Sequence, residues 1–185
     1  MKFVKSEFNS IIEIKKSKFI AYLCPHQEFN SVMERLKIEH PKARHFVYAY
    51  RFLNDFDQII ENSSDDGEPK GTSGRPTLKV LNGAEIINSA VIVVRYFGGT
   101  MLGTGGLVKA YSDAVNLVIN EAEFINYEKL EQITIESSYT DLSKTEYLLN
   151  QIGIIINNKE FGDSVKLSLE ATREKLSELS QSLDS

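Results

Sequence analysis

Hydrophobic residues in the first two-thirds of the chain keep changing their spacing, and each change marks an element. Ile11, Ile12 and Ile14, and then residues 19–23, are β-rich runs on either side of a charged stretch at 15–18. They predict a hairpin or two adjacent strands. Phe29, Val32, Met33 and Leu36 recur at helical spacing. That helix ends at His40-Pro41, because proline disfavours the α conformation in the residue before it. Phe46, Val47, Tyr48, Tyr50 and Phe52 predict an aromatic-rich strand over 45–52. Residues 54–75 are polar and glycine-rich without a period, and are expected to form a loop long enough to carry function. Pro76 is expected to open a short helix over 76–81. Residues 89–97 are almost all apolar and β-branched, the pattern of a strand buried on both faces. A glycine-dense loop follows. Leu107, Val108, Tyr111, Ala114, Val115, Val118 and Ile119 then predict an amphipathic helix.

Beyond about residue 126 the pattern restarts. Ile133 and Ile135 alternate as a strand, and Asp141 or Ser143 caps a helix carrying Leu142, Leu148, Leu149 and Ile152. Gly153 stands where a helix-closing glycine belongs. Residues 154–156 and 165–169 read as strands joined through 157–163, and Thr172 caps a last helix with Leu176, Leu179 and Leu183. The order β-α-β-β-α is a split βαβ arrangement short of one strand, which leaves a sheet edge open. The predicted organisation is α+β in two domains, 1–126 and 127–185.

Charge divides at the same place. The formal net charge is −5. Residues 1–126 hold 15 Lys/Arg and 15 Asp/Glu, whereas residues 127–185 hold 6 and 11. The second domain is thereby a poor non-specific binder of nucleic acid, since such binding is driven by cations displacing counterions. Cys24 is the one cysteine; it excludes a disulfide framework and a cysteine-rich zinc site and is expected to be a small buried hydrophobe. No apolar run approaches the length of a membrane span, and the first residues lack a signal-peptide pattern. A cytoplasmic protein without a membrane partner is expected.

Nine of the 11 glycines lie between residues 65 and 110. The loop 98–106, with Gly98, Gly99, Thr100, Gly103, Thr104, Gly105 and Gly106, joins a buried strand to a helix, the setting in which a helix N-terminus offers free amides and partial positive charge to an anion. Arg95 and Lys109 flank it, and Arg44, His45 and Arg75 are further candidates for the same anion or nucleic-acid site. Tight packing by small residues is the competing reading. No Walker loop or dinucleotide fingerprint is present, so no cofactor is expected. Asp65, Asp66 and Glu68 are three carboxylates in four residues. They are weak candidates for Mg²⁺, set against a self-compensated turn with Lys70 and Arg75, or a brace that holds Arg95 or Arg44 behind the anion site. His26, His40 and His45 are the only histidines, and no catalytic constellation follows from their spacing.

These clusters resemble the IMPACT/YigZ family. The resemblance is carried by Ala43-Arg44-His45 leading to Ala49-Tyr50, by Asp65-Asp66-Gly67-Glu68-Pro69 with Gly71-Thr72, Gly74 and Pro76, and by Val94-Arg95-Tyr96-Phe97-Gly98-Gly99 with Leu102-Gly103-Thr104-Gly105-Gly106-Leu107-Val108 and Ala110-Tyr111. It implies an N-terminal domain of ribosomal-protein domain-2-like fold and a C-terminal domain similar to the ferredoxin-like domains of elongation factor G. It also implies a role in regulating translation. Phe46 departs from relatives that carry a second polar or histidine residue there. The expected function is a translation-linked binding protein, without catalytic residues, contacting RNA, the ribosome or a translation-linked protein through the glycine loop. A Mg-dependent enzyme acting on a phosphorylated small molecule or nucleotide, and a protein–protein interaction module, are the alternatives.

Overall fold

A computed structural model describes residues 1–183 and divides into two compact units, Met1–Tyr127 and Glu128–Ser185. Unit 1 runs β1 (Lys2–Phe3), β2 (Phe8–Ile14), β3 (Ser17–Pro25), α1 (Phe29–Glu39), β4 (His45–Leu53), β5 (Ile59–Ser64), α2 (Gly74–Gly83), β6 (Ser89–Tyr96), α3 (Gly103–Glu121) and β7 (Ile125–Asn126). Unit 2 runs β8 (Leu130–Ser137), α4 (Leu142–Ile152), β9 (Ile155–Phe161), β10 (Val165–Thr172) and α5 (Arg173–Leu183). The architecture is α+β, as the sequence pattern predicts. No helix among the described residues is long and apolar enough to cross a membrane.

Strands β2-β3-β6-β4-β5 form one antiparallel sheet with β6 in the middle. Successive side chains of a strand point to opposite faces. Val91 and Val93 therefore join the core beneath α2 and α3, with Phe19, Val47 and Tyr111, while Ala90, Ile92 and Val94 join the core beneath α1, with Val32 and Leu36. Both faces are covered, which is why β6 reads as an unbroken apolar run. Cys24 is buried in β3, and burial pushes its thiol up to about 12.

Two expectations are corrected in unit 1. Residues 59–64, expected as loop, form edge strand β5, paired with β4 from Tyr48↔Ser64 to Leu53↔Ile59. Its side chains are mostly exposed, so no apolar alternation marks it. Helix α2 starts at Gly74, two residues before Pro76, because the Asp65 carboxylate accepts the amides of Ser73 and Gly74 at 3.1 and 2.8 Å and serves as a remote cap.

In unit 2 the sheet order is β8-β10-β9, antiparallel throughout. Leu149, Leu167, Leu169 and Leu179 form its core. Gly153 closes α4 at φ 75° in the left-handed region. The Thr172 hydroxyl accepts the Lys175 amide at 3.4 Å at the head of α5. Strand β9 runs through Phe161, where a longer connection is expected from sequence, so the turn before β10 is only residues 162–164. Asn157, Asn158, Lys159 and Glu160 are polar because both sides of this part of the strand are exposed. Among the described residues β8 has a strand neighbour on one side only.

Candidate functional site

Sheet register assembles the site. His45 and Phe19 both lie directly opposite Arg95, on β4 and β3. Parity along β6 puts Arg95 on the same face as Val91 and Val93, under α3. Phe19 packs edge-on against Tyr111 of α3, ring centres 5.1 Å apart. The Arg95 guanidinium stands between the rings of Phe19 and Phe97, 5.3 and 5.7 Å from their centres.

The turn at 65–68 brings in a carboxylate. Asp66 and Gly67 both have positive φ, 41° and 85°, and the Glu68 amide donates to the Asp65 carbonyl at 3.0 Å. Paired positive φ values mark a type I′ turn, which explains the Asp-Gly sequence. Glu68 lands almost fully buried; its Oε1 accepts Arg95 Nη1 at 2.5 Å and the Tyr111 hydroxyl at 2.7 Å. Burial, reinforced by the Glu68 carboxylate alongside, drives the Tyr111 hydroxyl well above its ordinary range, so Tyr111 is a fixed neutral donor. His45 Nδ1 lies 2.7 Å from the Asp66 carbonyl, which can only accept, so Nδ1 carries a proton. Its Nε2 faces Glu68 Oε2 at 3.9 Å.

The three carboxylates of the acidic cluster thus have separate partners. Asp65 accepts the amides of Gly71, Ser73 and Gly74 and the Ser73 hydroxyl. Burial pushes the Asp65 carboxyl up, but these hydrogen bonds outweigh it and leave the group below the ordinary carboxylate range. Asp66 accepts the Phe46 amide at 2.6 Å. Glu68 braces Arg95, the third of the roles that the sequence allows this cluster.

The glycines also divide their work. A Cβ on Gly98 would come within 2.1 Å of the Lys16 backbone, and the Gly98 amide donates to Ser17 Oγ at 3.1 Å. That residue locks the loop onto the β2–β3 turn. Gly99 and Gly103 hold positive φ, 89° and 73°. Gly105 and Gly106 lie within the first turn of α3, four residues earlier than the helix periodicity alone indicates.

A hollow of about 410 Å³ opens where these parts meet. Arg44, His45, Glu68 and Arg95 line one side, and Phe97, Met101, Leu102, Gly103 and Thr104 line the other. Helix α3 carries no side-chain cap at its start, so its first amides lack protein side-chain acceptors there. Arg95 is 5% exposed, and its Nε is buried without a hydrogen-bond partner. Of the residues singled out from sequence, Arg44, His45, Glu68, Arg95, Gly103 and Thr104 border this hollow. Lys109 does not; it is largely exposed and bonded to Asp113 at 2.7 Å. Arg75 borders a different hollow, beside Lys79 and Glu61. Thr100 is exposed on the loop outside the lining. Tyr111 was not singled out. Its signal is a hydroxyl on the apolar face of a helix, which demands a buried acceptor.

Comparison with known proteins places this geometry in context. The family described as the Impact N-terminal domain matches residues 15–119. IMPACT family member YigZ of Escherichia coli (strain K12) is 37% identical over 174 residues, covering 92% of this chain and 85% of that protein. IMPACT family member YvyE of Bacillus subtilis (strain 168) is 32% identical over 166 residues, covering 88% and 76%. A crystal structure of a hypothetical protein superposes with a TM-score of 0.69 at 34% identity, covering 98% of this chain and 90% of that one.

Proposed function

Since the chain belongs to the IMPACT family, we propose that it is a translation-associated binding protein whose first unit takes a phosphate of RNA in the hollow at the head of α3. The translation link rests on the family resemblance. The RNA contact rests on one observation: an uncapped helix head and a buried arginine with an unpartnered Nε border the same recess. Helix heads attract anions through free amides and the macrodipole. Arg44 is exposed at the rim and adds a full positive charge. Glu68 offsets the charge of Arg95 and leaves its planar donors fixed, so binding is modest and directional.

Filter binding of the full chain to single-stranded RNA, with co-sedimentation on ribosomes, tests the reading. Arg44→Ala is expected to weaken RNA binding and to lower the slope of log affinity against log salt by about 0.7, the contribution of one phosphate contact on a single strand. Absence of binding to RNA and ribosomes at low salt would refute it.

A further inference from the structure

We infer that the hollow at the head of α3 takes a terminal phosphomonoester of RNA, a phosphate with one sugar attached, and not a phosphodiester within the chain. The inference rests on the RNA reading above and specifies its ligand. Depth is the first reason. Arg95 is 5% exposed, is held between Phe19 and Phe97, and has a buried Nε with no partner. Orphaned buried donors are rare, and this one belongs to a residue that lines the recess. A phosphate with sugars on both sides shows its free oxygens along a flank. A terminal phosphate shows three oxygens at a tip, the shape that reaches the back of a recess.

Charge gives the second reason. Glu68 compensates Arg95, which leaves exposed Arg44 and the helix head, equivalent to about half a charge, as the attraction. Of the further cations singled out from sequence, Lys109 is bonded to Asp113 and Arg75 borders another hollow. Proteins that track a nucleic-acid backbone need a continuous cationic groove. A single strong contact is what the lining of this hollow offers, and a monoester, at roughly −1.5 to −2 near neutral pH, gains most from one contact. The apolar side supplies the third. Phe97 is 43% exposed and Met101 85% exposed at the mouth, a surface on which the terminal base stacks.

Fluorescence anisotropy of the full chain with one oligoribonucleotide in four forms decides the matter: 5′-phosphate, 5′-hydroxyl, 3′-phosphate and 3′-hydroxyl, each labelled at the opposite end. A phosphate at one end is expected to bind at least ten-fold tighter than its hydroxyl counterpart. Thr104→Pro deletes one first-turn amide at a position where proline is tolerated. It should bring the phosphorylated form to the level of the hydroxyl form. If circular dichroism shows that variant to be misfolded, Arg44→Gln makes the same comparison. Equal binding of phosphate and hydroxyl forms overturns this inference while the RNA reading stands; no binding of any form removes both. A nucleoside 5′-monophosphate that displaces the labelled RNA as effectively as unlabelled RNA would also overturn it, by identifying the ligand as a free nucleotide.

Discussion

Glu68→Ala is expected to destabilise the protein by about 4 kcal/mol. The carboxylate and the guanidinium it pairs with have side chains only 3% and 6% exposed, so solvent screening takes little from the interaction. Removing one partner of a buried ion pair costs about 3–5 kcal/mol, because the remaining charge stays desolvated. Here the Tyr111 hydroxyl loses its acceptor as well. Those figures correspond to a fall of roughly 10 °C in Tm for a chain of this size. Glu68→Gln keeps an acceptor for both donors and loses only the charge, so its cost should be about half. The double variant Glu68→Met with Arg95→Met replaces the pair by apolar groups of similar length and should be more stable than Glu68→Ala. Equilibrium urea unfolding followed by far-ultraviolet circular dichroism measures all three. A cost below about 1 kcal/mol for Glu68→Ala, or a double variant no more stable than Glu68→Ala, would show that the brace does not hold the floor of the site.

Other expectations use the same assay or simple chemistry. Gly98→Ala drives a methyl into the backbone of Lys16 and Ser17 and should cost about 3 kcal/mol, whereas Gly105→Ala enters open space in a helix and should stabilise by about 0.5–1 kcal/mol. Cys24, buried and with its thiol pushed up to about 12, should ignore an aromatic disulfide reagent at pH 8 until urea unfolds the chain. The Asp65 carboxyl is held lower when folded than when unfolded, so its stabilisation is complete above the ordinary carboxylate range and is lost as pH falls from there through the lower folded-state value. Asp65→Asn should accordingly flatten the acid limb of a stability–pH curve, and an unchanged limb would contradict the hydrogen-bond assignment.

Elements that bury a regular stripe were legible from the sequence. Strand β6 shows itself as Val91 to Val94 because two cores claim its two faces, and α4 shows its end because Gly153 is needed in the left-handed region. Strand β5 left no trace, since an edge strand with solvent on its side chains has no reason to alternate. At the site, residue types were legible and their partnerships were not. Arg44, Arg95 and Glu68 stand out as charges in a glycine-rich setting. That Asp65 caps α2, that Glu68 serves Arg95, and that Arg75 and Lys109 lie outside the hollow all depend on register and helix phase, which no local pattern encodes.

One oxygen of Glu68 receives donors from residues 95 and 111, three stretches of chain far apart in the primary order. The recess therefore has no local blueprint. A peptide spanning only the strand, the glycines and the following helix would carry Arg95 and Tyr111 and still lack Glu68, the acceptor that holds them both. The floor is complete only once residues 68, 95 and 111 have come together, and a chain that ends before residue 111 lacks one of the two donors to Glu68.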